Sequence, residues 1–235
     1  MHRFESSKDK ELAGFLSAQF AYGQVGVFRQ FLEKLFSIMG NSPSQFVMKG
    51  DFYPFKGLYY RFQKFDDIVY LFIILRRILE RFGSVGEMLR KFYTDDTRSM
   101  VWQIRDEFLG NDNRLTFFFP KPSNSNPMKR WNLYLRWMAR KDEIDVGLWD
   151  FIPKDRLIIP LDTHIFKIGK CFGWAKQKSP SWKAACEITD ALKVFSPDDP
   201  LQYDFFLCQG VGINGNCSGT RTSDCIGKCV LLQDE

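Results

Sequence analysis

Three kinds of reactive side chain stand where their spacing allows chemistry: a carboxylate at Asp162, an amine at Lys129 and a group of thiols near the C-terminus. The stretch Leu157 to Trp174 carries the first. An apolar run ends at Pro160, and Asp162-Thr163 then opens helical spacing through Ile165, Ile168 and Phe172. Proline is excluded from a helix interior, so Pro160 marks the start. Asp162 is thereby expected at a helix N-cap, where free backbone N–H groups and the helix dipole favour a carboxylate. Capping alone is a sufficient reason for an aspartate there.

Lys129 precedes Asp162 by 33 positions. Pro127 suits a first helical position, which places Lys129 in the first turn of a helix running to Arg140, beside Arg130. The dipole there disfavours a second cation, so a lysine asks for a reason. A solvated side chain and a phosphate contact are the ordinary ones.

The thiols are Cys208, Cys217, Cys225 and Cys229, in the pattern C-x8-C-x7-C-x3-C within a Gly/Asn/Ser-rich segment. Four thiolates suit a [4Fe–4S] cluster or zinc. A thiol-bearing tail without metal is the alternative. Cys171 and Cys186 fall on apolar helix faces and read as core.

The elements that must position these groups are helical nearly throughout. Leu12, Phe15, Leu16 and Gln19 share one face of a first helix. Val27, Phe31, Leu35 and Ile38 mark a second, ended by Gly40 and Pro43. Ile68 to Phe82 forms a third, with Gly83 at C′. Ser84 caps a helix through Met88, Leu89 and Phe92, and Arg98 to Leu109 is another. Leu115 to Asn126 reads as loop, broken by Pro120, Pro122 and Pro127. Ala184 to Phe195 and Pro200 to Gly210 close the fold. With no internal repeat and no strand pair, the expected class is all-α.

The chain has 235 residues, is 45% hydrophobic and contains 24 Phe, which excludes a disordered chain and supplies a substantial core. A net charge of +5 suits a nucleic-acid-binding face without demanding one. Lys121, Lys129, Arg130, Arg136, Arg140 and Lys141 crowd into 21 positions, with no acid until Asp142. A solvated cationic helix face is the alternative. Met1 to Lys10 is polar, and the apolar run Ile68 to Leu75 is too short to span a bilayer. Six cysteines without a secretion signal point to a reducing, cytoplasmic setting and no membrane partner.

The string Leu161-Asp162-Thr163-His164-Ile165-Phe166-Lys167 resembles the aspartate segment of the helix-hairpin-helix DNA glycosylases, the endonuclease III superfamily. Lys129 to Met138, Leu157 to His164 and Asp198 to Phe205 together resemble one uncharacterised bacterial branch of it, the DUF2400 proteins. The likeness runs from about Phe4 to Ile213. It implies a glycosylase-like domain over 1–213 and a cysteine-bearing tail over 214–235. It also implies two helical subdomains with a cleft between them, one formed by the middle of the chain and one joining the N-terminal helix to the C-terminal helices. Relatives carry a further segment before the first helix, so a truncated or late start is expected.

The resemblance assigns roles. A glycosylase breaks an N-glycosidic bond through an oxocarbenium-like transition state, which a nearby carboxylate stabilises. In lyase-type members a lysine amine attacks C1′ and forms a Schiff base. Lys129 and Asp162 fall on the catalytic pair, and Asn132 on a family asparagine. Gln19, in Phe15-Leu16-Ser17-Ala18-Gln19, falls on the glutamine that fills the gap left by an extruded base. The superfamily hairpin L-P-G-V-G, which offers backbone N–H groups to a phosphate, is replaced by Pro120 to Pro127 and lacks both glycines. Lys121, Ser123 and Ser125, with Arg130 and Arg136, are the expected substitutes for contacting duplex DNA that carries a lesion. The implied activity is base excision by a monomer. The rivals are a non-catalytic nucleic-acid-binding protein on the same scaffold and a nucleoside-directed enzyme. His164 reads as a structural residue, and Tyr60-Arg61-Phe62 as core more than as a base pocket.

Overall fold

A computed structural model of the chain describes residues 1–225 and 229–232. Residues 226–228 and 233–235 of the expected tail lie outside the described residues. Secondary structure among the described residues is helical, apart from two isolated bridges, Tyr60 with Gln63 and Lys141 with Val146. The chain forms two compact units, Met1–Pro122 with Trp137–Phe151, and Ser123–Arg136 with Ile152–Glu235. The N-terminal helix therefore belongs with the middle of the chain and not with the C-terminal helices, contrary to the expected partition.

The first unit contains α1 (Ser7–Gln19), α2 (Val25–Met39), α3 (Pro43–Lys49), α4 (Phe65–Phe82), α5 (Val85–Phe92) and α6 (Thr97–Leu109). Gly83 ends α4 in the left-handed region, φ 80°, and its N–H reaches the Leu79 carbonyl at 2.8 Å. Ser84 then starts α5 by accepting from the Glu87 N–H at 3.1 Å. Pro43 does more than end α2, because it occupies the first turn of α3, where its missing N–H costs nothing. Apolar side chains from α1, α4 and α5, including Leu12, Leu16, Leu71, Leu75 and Met88, are fully buried. Phenylalanines fill much of the rest, as in the contacts Phe15–Phe119 at 6.1 Å and Phe20–Phe118 at 5.3 Å.

One buried acid ties distant parts of this unit together. Glu11 on α1 accepts from the Gly86 N–H and from Trp149 Nε1, each at 2.9 Å. A Cβ at Gly86 would stand 2.3 Å from Glu11 Oε1, so only glycine admits this approach.

The second unit contains the first turns of α7 (Lys129–Ala139), then α8 (Thr163–Cys171), α9 (Trp182–Lys193), and a π-helical run, Phe206–Asn214. An extended segment leads into α8 with Leu157, Ile159 and Leu161 buried at alternate positions. It is fixed to α9 where the Ile159 N–H donates to Thr189 Oγ1 at 3.0 Å. Gly169 lets α8 cross α9 closely, since a Cβ there would stand 2.5 Å from Ile188 Cδ1. The π-helical run packs against α8 in turn. A Cβ on its Gly212 would meet His164 Cβ at 2.6 Å.

Candidate functional site

Asp162 caps α8 as its sequence requires. Oδ1 accepts from the His164 N–H at 2.9 Å and the Ile165 N–H at 2.8 Å. Both bonds use the same oxygen, which leaves Oδ2 facing away from the helix backbone. Cys208, on the π-helical run, donates its thiol to that Oδ2 at 3.4 Å.

Lys129 opens α7, half-buried. The approach differs from expectation. Pro127 is outside the helix, and Met128 precedes Lys129 in the left-handed region at φ 54°. A non-glycine residue there costs roughly 1 kcal/mol and is held by its neighbours. Asn126 Oδ1 accepts from the Met128 N–H at 2.9 Å. Asn132, buried one turn into α7, donates its side-chain amide to the Pro127 carbonyl at 3.2 Å. These two asparagines set the direction in which α7 begins, and so where the Lys129 amine emerges.

The Cys208 thiol reports the charges around it. Burial, the Asp162 and Asp204 carboxylates and the bond to Asp162 push it up to about 12, while the Lys129 ammonium pulls it back. The lysine and the aspartate thus act on one sulfur atom. At neutral pH that sulfur carries its proton and serves as a donor. The second carboxylate, Asp204, is buried and forms an ion pair with Arg136, which is equally buried.

That pair corrects one expectation. Arg136 is a buried counter-ion and not a solvent-facing phosphate contact. Arg140, also buried, is likewise occupied, by Asp142 at 2.9 Å and by Asp145. Two of the six cations in the basic stretch are therefore internal. Arg130 is half-buried in the first turn of α7, and Lys121 is exposed. Ser123 and Ser125 are exposed, with hydroxyls 2.8 Å apart, and the Ser125 N–H is taken by Ser123 Oγ at 3.2 Å. That N–H is used within the turn instead of being offered to a phosphate.

Gln19 lies at the end of α1 and is fully buried. A wedge that fills a gap in DNA must project from the surface, so this conformation does not present one. Tyr60 is buried, as a core reading requires, but Phe62 is exposed and joins Tyr22 and Phe117 in a ring cluster with centroids 4.8 to 5.7 Å apart. His164 is half-buried beneath Gly212, a packing role.

The cysteine expectation also changes. Cys208 is engaged with Asp162. Burial raises the thiol of Cys171, at the end of α8, and Cys217, Cys225 and Cys229 raise it further. Among the described residues, no three His, Cys, Asp or Glu side chains are arranged to hold a metal ion. Sequence reasoning missed Cys208, Asp204 and Cys171 as neighbours of the chemistry-bearing residues. The one available signal was the spacing of Asp204 and Cys208, four residues apart and so able to share a helical face.

The family described as "Protein of unknown function (DUF2400)" matches residues 1–214. No curated protein and no solved structure matches the chain. No helix among the described residues is long and apolar enough to cross a membrane.

Proposed function

The chain belongs to the DUF2400 family of proteins of unknown function, and from that premise we propose that it is a base-excision DNA glycosylase with lyase activity. The observation that carries this reading is the Asp162 carboxylate, held through Oδ1 at the start of α8 and bonded through Oδ2 to the Cys208 thiol, which also feels the Lys129 charge. An amine and a carboxylate that share one neighbourhood are what an attack at C1′ of a nucleoside requires.

In this reading the Lys129 amine attacks C1′ of the damaged nucleotide. The C1′–N bond breaks, and the base leaves with the bonding pair and takes up a proton. The nitrogen, now bonded to C1′, gives up a proton and pushes out O4′; the C1′–O4′ bond breaks, O4′ takes a proton, and a Schiff base to the ring-opened sugar remains. Asp162 stabilises the positive charge that builds on the sugar. Its Oδ1 is held by α8, so its position does not depend on substrate. Arg130, Lys121, Ser123 and Ser125 supply phosphate contacts, and the duplex bearing the lesion is the partner. The reading extends the resemblance of the Asp162 segment to the helix-hairpin-helix glycosylases.

The test is release of a free base from duplexes carrying 8-oxoguanine, uracil or alkylated purines, with Lys129→Ala and Asp162→Asn as controls. Base release by the wild-type chain and its loss in both variants supports the reading. Duplex binding with no base release from any lesion favours a non-catalytic nucleic-acid-binding protein. Base release from free nucleosides alone favours a small-molecule enzyme.

A further inference from the structure

Two carboxylates of the second unit are held by partners of different kinds. Asp204 is buried against the Arg136 guanidinium, which cancels its charge. Asp162 is half-buried and, among the described residues, forms no ion pair. Its Oδ1 accepts from two backbone N–H groups, and its Oδ2 accepts from the uncharged Cys208 thiol at 3.4 Å.

The fold delivers that thiol through a close helix contact. Cys208 stands on the π-helical run, four residues before Gly212. Gly212 lies against the first turn of α8, where a Cβ would meet His164 Cβ at 2.6 Å. Only glycine allows that approach. His164 follows Asp162 by two residues, so the Gly212–His164 and Cys208–Asp162 contacts belong to one interface between the run and the start of α8. π-helical turns are rare and recur at functional sites.

Resting on the reading of Asp162 as the group that stabilises the sugar cation, we propose that Cys208 is its positioning residue: the thiol holds Oδ2 in one direction and leaves the negative charge of the carboxylate intact. A lysine or arginine in that place would fix the carboxylate by neutralising it, as Arg136 does for Asp204. A thiol is a weak, neutral donor. With Oδ1 fixed by the helix start and Oδ2 by the sulfur, both oxygens are directed before substrate arrives. Preorganised charge of that kind is what a developing oxocarbenium ion requires. Burial and the Asp162 and Asp204 carboxylates raise the thiol to about 12, so it keeps the proton it donates.

Infrared absorption in the S–H stretching region of the full chain reads this bond without substrate. The difference between wild type and Cys208→Val isolates the Cys208 band. That band is expected to move to higher frequency in Asp162→Ala and part of the way in Asp162→Asn, and to stay in place in Cys186→Ser. Single-turnover base release reads the consequence. Cys208→Val and Cys208→Ala are expected to lower the maximal rate about tenfold with the half-saturating duplex concentration unchanged, and Cys208→Ser to restore most of it. Valine is close to the thiol in volume and serine keeps a donor, so a packing role predicts the reverse order. The proposal is overturned if the Cys208 band ignores Asp162→Ala, if Cys208→Val keeps the wild-type rate, or if Cys208→Ser is as slow as Cys208→Val. A wild-type chain that releases no base from any lesion refutes the glycosylase reading instead, and the infrared band then decides alone whether the thiol holds Asp162.

Discussion

The Cys208 thiol donates to Oδ2 of Asp162 at 3.4 Å, and the same carboxylate uses Oδ1 to cap α8. One aspartate therefore fixes a helix start and carries a second oxygen whose partner is a proton donor of low polarity. Its capping role and its proposed chemical role sit on different atoms, and substitutions separate them. Asp162→Asn keeps an acceptor for the backbone and is expected to change stability by less than about 0.5 kcal/mol, whereas Asp162→Ala loses about 1 kcal/mol. Base release is expected to fall about a hundredfold or more in both. Denaturant unfolding beside a single-turnover assay distinguishes this from an aspartate that caps and does nothing else.

Cys208 imposes a pH dependence at the alkaline end. Its folded thiol is raised to about 12, above the ordinary thiol value near 9. The unfolded chain therefore loses this proton at lower pH than the native chain. The stabilisation is fully present below about pH 9 and is lost as pH rises from there toward 12. Unfolding midpoints between pH 8 and 11 are expected to fall more steeply for the wild-type chain than for Cys208→Ala. The native thiol is also expected to alkylate slowly at pH 8. Equal slopes, or fast alkylation of Cys208, would contradict the geometry described.

Arg136 and Asp204 are each about 5% exposed, so removing one partner strands a charge. Arg136→Ala is expected to destabilise the chain by about 3–5 kcal/mol, while replacing both residues with apolar ones of similar volume recovers most of the loss. Arg130→Gln is read in binding instead, and is expected to lower the salt slope of duplex binding by about 1. Melting curves and binding titrations at several salt concentrations check both.

Gly86 and Glu11 give a prediction for the first unit. Gly86→Ala places a methyl 2.3 Å from Glu11 Oε1 and 2.6 Å from Trp149 Nε1. A cost of about 1–3 kcal/mol is expected. Glu11→Ala leaves the Gly86 N–H and the indole N–H without their acceptor, for about 2–3 kcal/mol.

These ties show which parts of the fold were legible. Local chemistry was. Gly83 and Ser84 mark the α4–α5 junction, and Asp162 marks the start of α8, because each acts within four residues. The start of α7 was misplaced by Pro127, because nothing local announces Met128 in a left-handed conformation. Two side-chain amides, Asn126 and Asn132, hold it there. The segment after Asp199 reads as one helix, yet it forms a 3₁₀ turn, Pro200–Tyr203, and then the π-helical run. No residue pattern carries the period of a π-helix, and the packing of Gly212 on His164 accompanies it. The partition into units was not legible, because Glu11 reaches Trp149 across 138 positions. The proposed catalytic pair was named from a motif. Its surroundings, Cys208 and Asp204, come from a segment 40 or more positions downstream.

The central claim is that the Lys129 amine is a nucleophile. The most direct measurement is borohydride trapping on a duplex with an abasic site, read as a covalent protein–DNA band. The account predicts a band for the wild-type chain, none for Lys129→Ala, and an adducted peptide that maps to Lys129. A wild-type chain that binds the duplex without trapping, or a Lys129→Ala variant that traps as well as the wild type, would contradict it.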